Sequence, residues 1–89
     1  MKISKKLQTE IVNNLYTIID INRVGSDEID VIEDILEGFE NLTLKKLTVD
    51  KLTEIKSELL DLKNWSDRLG SDENYIINHI IQIIDEVSL

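Results

Sequence analysis

No cysteine and no proline occur in this chain, and its 89 residues include only three glycines. Without cysteine, neither disulfides nor thiolate metal sites are available. His79 is the sole histidine, so the usual nucleophile–base pairs of covalent catalysis cannot be assembled. No glycine-rich phosphate loop is present. These absences point away from an enzyme, and no catalytic residue, cofactor or metal is expected. The lack of proline leaves long helices without their strongest breaker. No apolar run approaches the length of a membrane span. No apolar segment follows the basic residues between Met1 and Lys6 either, so a secretory signal is not expected and the cytoplasm is the expected location.

What the chain has in excess is acid. Eighteen Asp and Glu against ten Lys and Arg give a formal net charge of −8. That charge repels nucleic acid and anionic membranes and favours a basic protein partner. With 42% hydrophobic and 31% charged residues, the composition is that of a globular domain rather than a disordered one. The length suits a single domain over 1–89.

The segment Gly25-Ser26-Asp27-Glu28 returns as Gly70-Ser71-Asp72-Glu73, 45 residues later. At the same offset Lys6-Leu7 falls on Lys51-Leu52, Leu15 on Leu60 and Arg23 on Arg68, while Val31, Ile32, Ile35 and Leu36 fall on Ile76, Ile77, Ile80 and Ile81. The shared apolar register identifies two related halves, about 1–44 and 45–89. Each half reads as a helix, a break at glycine and a second helix. Glycine suits the C′ position of the first helix, where φ is positive, serine the N-cap of the next, and the two acids its positively polarised first turn.

Apolar residues at i, i+3 and i+4 predict four helices, over about 3–22, 27–41, 49–67 and 72–87. The isoleucines between Ile76 and Ile84 would also suit a strand, but their spacing and the serine start decide for helix. Asn41 to Thr48 is the only long connector, with Thr48 as N-cap of the third helix and Leu44 and Leu47 tucked against the bundle. The predicted fold is all-α: an antiparallel four-helix bundle made of two tandem helical hairpins.

The second predicted helix carries Asp27, Glu28, Asp30, Glu33, Asp34, Glu37 and Glu40, with no Lys or Arg from Asp27 to Leu44. On a helical wheel all but Glu28 lie opposite the apolar stripe. Like charges at i, i+4, such as Asp30/Asp34 and Glu33/Glu37, each weaken an isolated helix by about 0.2–0.5 kcal/mol. The third helix, by contrast, interleaves Lys51, Lys56 and Lys63. The candidate partner-binding residues are therefore Asp30, Glu33, Asp34, Glu37 and Glu40. A solvated acidic face with no partner is the plainer alternative. Asp20, Asn22 and Gly25 match positions one, three and six of a calcium loop, but Val24 and Val31 stand where ligands five and twelve belong, so no metal is assigned. His79 is expected in solvent, Trp65 packed at the bundle end, and Tyr16 packed with its hydroxyl in water.

The stretch from Leu15 to Thr43 resembles the first half of the nuclease-colicin immunity proteins. Ser26-Asp27-Glu28 stands where that family opens its second helix with serine and acids, and Phe39-Glu40 near that helix's end. The resemblance covers a third of the chain, and the family's later His-Pro and Asp-Leu-Ile-Tyr-Tyr-Pro elements have no counterpart after Thr43. It implies an acidic helix that recognises a basic toxin domain. The function read from the chain is thus a small acidic protein-binding module, a stoichiometric inhibitor or neutraliser of the immunity, antitoxin or phage-inhibitor kind. The alternative is an assembly protein that forms a homodimer through the isoleucine-rich fourth helix.

Overall fold

The computed structural model describes residues 4–21 and 25–88, with only the backbone of Leu44 and Ser88. Four helices fill it: α1 (Lys5–Ile21), α2 (Ser26–Phe39), α3 (Val49–Trp65) and α4 (Ser71–Ser88), with a 3-10 turn at Leu44–Lys46. No strand occurs among the described residues. Contacts run round a closed square, α1 to α2, α2 to α3, α3 to α4 and α4 back to α1. The fold is the expected all-α bundle of two helical hairpins. No helix among the described residues is long and apolar enough to cross a membrane.

Each helix contributes one apolar stripe to a single core. Ile11, Leu15 and Ile18 of α1 meet Ile32, Leu36 and Phe39 of α2, while Leu52, Ile55, Leu59 and Leu62 of α3 face Ile77, Ile80 and Ile84 of α4. Burying each such side chain stabilises the fold by about 1.5–3 kcal/mol. The α4 isoleucines are consumed within the monomer: Ile77 and Ile80 are fully buried, and Ile76 and Ile81 pack against the same cluster. Leu47 closes the α2–α3 connector onto the core as expected, and the Leu44 side chain lies outside the described atoms. Thr48 caps α3, its hydroxyl accepting from the Lys51 N–H at 3.2 Å.

The repeated Gly-Ser-Asp-Glu works differently from its sequence reading. Gly25 is itself the N-cap of α2, with φ −73° and ψ 169°, and no side chain caps that helix. Its carbonyl accepts the first helical hydrogen bond, from Ile29 N–H, just as that of Gly70 accepts from Asn74 N–H. Neither glycine has positive φ. Ser26 and Ser71 are exposed first-turn residues rather than caps. The reason for glycine is room. The carboxylates of Glu28 and Glu73 fold back over the start of their helices, so a Cβ on Gly25 would meet Arg68 Nη1 and stand 2.9 Å from Glu28 Oε1, and one on Gly70 would stand 3.0 Å from Glu73 Oε1. Both glutamates are consequently buried.

The two copies then diverge. Glu28 Oε2 accepts from the Ser66 hydroxyl at 2.6 Å, and Arg68 lies against Gly25. The Ser66 hydroxyl first, then the residue's own backbone N–H and the Arg68 guanidinium, hold the Glu28 carboxyl below the usual carboxylate range against the opposing pull of burial. The residue 45 positions before Ser66 is Ile21, which has no hydroxyl to offer, and neither Glu73 oxygen has a hydrogen-bond partner among the described residues. Arg23, the counterpart of Arg68, lies outside the described residues.

At the other end of α2, Gln8 reaches across from α1. This buried amide donates to the carbonyls of Phe39 (2.9 Å) and Leu42 (3.0 Å), and more weakly to that of Glu40 (3.4 Å). It satisfies acceptors that a helix end otherwise leaves open. Replacing Gln8 with leucine keeps the volume and strands those carbonyls, so urea unfolding should show a loss of about 1–3 kcal/mol. Ser26→Ala removes no cap and should change stability by no more than about 0.5 kcal/mol. Ile80→Asp places an unpaired charge in the core and should abolish the cooperative thermal transition of so small a domain.

Candidate functional site

The acidic face of α2 points outward because its opposite face is committed to the core. Asp30, Glu33, Asp34, Glu37 and Glu40 are all exposed, as their position opposite Ile32, Ile35, Leu36 and Phe39 requires. Glu28, the one acid off that face, is the one buried. The ridge carries no Lys or Arg.

Two open grooves flank the ridge and divide its residues between them. Glu33, Glu37 and Glu40 line the groove towards α1 together with Tyr16, Ile19 and Leu36. The Tyr16 hydroxyl donates to Glu40 Oε2 at 2.9 Å, and this bond, then burial and the Glu40 charge, push the phenol's pKa above its ordinary value. Tyr16 is 41% exposed, so it packs more loosely than expected and its hydroxyl is held by a carboxylate rather than left to water. Asp34 belongs to the other groove, towards α3, which it lines with Val31, Glu58, Asp61 and Trp65. Asp30 is exposed nearer the N-terminus of α2.

Trp65 is not packed at the bundle end. It is 48% exposed, because its position one step off the Leu52–Leu62 stripe turns the indole into the groove rather than onto the core. Glu58 and Asp61 were not among the residues singled out from the sequence, yet they extend the anionic surface from α2 onto α3. Of the interleaved lysines of α3, Lys51 offsets them in part and the other two are turned away. Lys56 turns to Asp85 and Lys63 to Asn78, both on α4, and Lys51 lies beside Glu54 at 3.9 Å. Two of the three lysines are thereby turned away from the side of α3 that carries Glu58 and Asp61. The spacing Glu58, Asp61, Trp65, three and then four residues apart, was the available signal.

Partial burial first, then the charges of Glu54, Asp34 and Asp61, raise the Glu58 carboxyl above the usual glutamate range, with Lys51 opposing. The groove is thus a place where negative charge is crowded. Among the described residues, no three acidic or histidine side chains gather closely enough to hold a metal ion. His79 stands half-exposed on the far side of the bundle, its Nε2 3.6 Å from Glu10 Oε1, so the expected fully solvated histidine instead has a carboxylate neighbour.

No protein-family model, curated protein or solved structure matches the chain.

The crowding at Glu58 has a sign that can be measured. Its raised pKa means that the folded state holds the proton more tightly than the unfolded chain. Stability attached to this group is complete below the ordinary glutamate pKa and falls as pH rises through the raised value. Glu58→Gln removes the repulsion, so at pH 7 the variant should melt higher than the parent, by no more than about 1 kcal/mol for so exposed a group. The two melting curves should converge once pH drops below the ordinary glutamate range.

Proposed function

We propose that this chain is a stoichiometric protein-binding module that neutralises a basic partner by covering it with the acidic face of α2. The observation that carries the reading is the arrangement of that face. A row of exposed carboxylates on a helix that carries no Lys or Arg is flanked on one side by Tyr16 and on the other by Trp65. Complementary charge steers a basic surface into place and fixes its orientation. Aromatic side chains beside the charged row supply the desolvated contact area that retains it. Like charges held together against the helix's own preference suit a surface whose counter-charges arrive on another molecule.

The reading is binding rather than catalysis, in the cytoplasm, with a protein rather than nucleic acid or membrane as the partner. A net charge of −8 supports the last point. An immunity protein, an antitoxin or a phage-type inhibitor would each use such a surface, and the basic partner's covered face could be one that otherwise engages nucleic acid. Homodimerisation through α4 has less to draw on, because the isoleucines that would form its interface are buried or partly buried within one monomer.

The test is kinetic. A basic protein retained by the tagged chain from cells in which it is naturally made is purified, and its association with wild type and with the Glu33→Gln/Asp34→Gln/Glu37→Gln variant is followed across salt concentrations. Wild type should associate faster at low salt, with a rate that falls steeply as salt rises; the variant should associate more slowly and with a flatter dependence. Superimposable salt profiles for the two proteins would remove α2 from the interface.

A further inference from the structure

The groove between α2 and α3 differs from its neighbour in a way that specifies what enters it. We propose that it is an arginine socket: it receives one guanidinium from the basic partner, stacked on the Trp65 indole and hydrogen-bonded by the carboxylates of Asp34, Glu58 and Asp61. The proposal rests on the partner reading above and names the side chain that the α2–α3 side recognises.

Three observations converge on a flat organic cation. The first is Trp65, half in solvent with an aromatic face available beside an aliphatic floor at Val31. An indole face attracts cations, and a guanidinium can lie flat on it while its edge still donates to carboxylates. An ammonium can satisfy only one of those demands well, because it is compact and strongly hydrated. The second is the set of three carboxylates around that face, contributed by two helices; Lys56 and Lys63 turn to α4, and Lys51, beside Glu54, relieves the crowding only in part. The third is their spread. A calcium ion requires oxygen ligands at about 2.3–2.6 Å, and no three acids among the described residues are gathered for that. A guanidinium, whose donors are spread over a planar fork, can reach carboxylates that stand apart.

The electrostatic state of the empty groove points the same way. Glu58 is held above its usual pKa by burial and by Glu54, Asp34 and Asp61, against the opposing charge of Lys51, and an arriving positive charge relieves the repulsion that remains. The groove towards α1 lacks these conditions. Its aromatic, Tyr16, is already engaged by Glu40, so both the ring's polar end and one carboxylate are taken.

Trp65 is the only tryptophan, so its fluorescence reports on this groove alone. Capped tetra-arginine and tetra-lysine peptides are titrated into the full chain at low salt, with Trp65 emission and backbone amide shifts as readouts. The expected result is a saturable change in Trp65 emission, reached with tetra-arginine at several-fold lower concentration than with tetra-lysine. Amide shifts should centre on Val31, Asp34 and residues 58–65. The Glu58→Gln/Asp61→Asn variant, checked for an unchanged helical spectrum, should bind tetra-arginine at least about tenfold more weakly, since two acceptors lose their charge and a single charge-assisted hydrogen bond already accounts for about that factor. Trp65→Leu, followed by amide shifts, should lose the preference for arginine over lysine. Equal affinity for the two peptides at Trp65 would overturn the socket while leaving an anionic docking face intact. Shifts confined to the Tyr16 side would do the same. If neither peptide binds anywhere at low salt, both the socket and the basic-partner reading fall.

Discussion

Both ends of α2 are held by polar side chains that belong to other parts of the chain, and the orientation of its acidic face follows from that clamp. At the N-terminus the link between α3 and α4 reaches over, with Ser66 donating to Glu28 and Arg68 lying against Gly25. At the C-terminus Gln8 of α1 gathers the last carbonyls. Between these points Ile32, Ile35, Leu36 and Phe39 are committed to the core. A hydrophobic stripe alone tolerates some rolling of a helix about its axis, because dispersion and burial are not directional. Hydrogen bonds at both ends are directional. They convert a helix that merely has an apolar side into one with a defined outer edge, so that Glu33, Glu37 and Glu40 fall towards α1 and Asp34 towards α3.

The repeat shows how a duplicated unit becomes asymmetric by small changes. Both copies use glycine to make room for a carboxylate that folds back over a helix start. Only the first copy has a serine hydroxyl there: Ser66 donates to Glu28, and the residue 45 positions before Ser66 in the sequence is Ile21. The same division appears in the outer surfaces. α2 has Asp30, Glu33 and Asp34 where the corresponding helix α4 has Tyr75, Asn78 and His79, and it has Gly38 where α4 has Ile83. One half supplies the charged face and the other a wider share of the apolar packing.

Much of this architecture was legible in the residues themselves. The four helices, the Thr48 cap, the tucked Leu47 and the buried isoleucines of α4 follow from periodicity and local chemistry, which depend only on near neighbours. The outward acids of α2 follow equally, as does the exceptional position of Glu28. What escaped depends on contacts between distant residues. Gly-Ser-Asp-Glu is compatible with a serine cap or a glycine cap, and the choice was made by a carboxylate folding back in three dimensions. Gln8 is engaged by carbonyls that only the fold brings to it, those of Phe39 and Leu42. Trp65 lies one step off the core stripe, where a small rotation separates packing from exposure. Glu58 and Asp61 were masked by lysines adjacent in sequence that turn to the other side of the helix.

The connectivity has a further consequence for how the protein reaches this state. Every helix packs against its sequence neighbours, and only the α1–α4 closure joins the two ends of the described chain. Low contact order of this kind is associated with folding in microseconds to milliseconds. With no proline to isomerise and no cysteine to mispair, two of the slowest steps of refolding are absent. A molecule built this way regains its shape about as soon as denaturing conditions are lifted, and its surface chemistry returns with it.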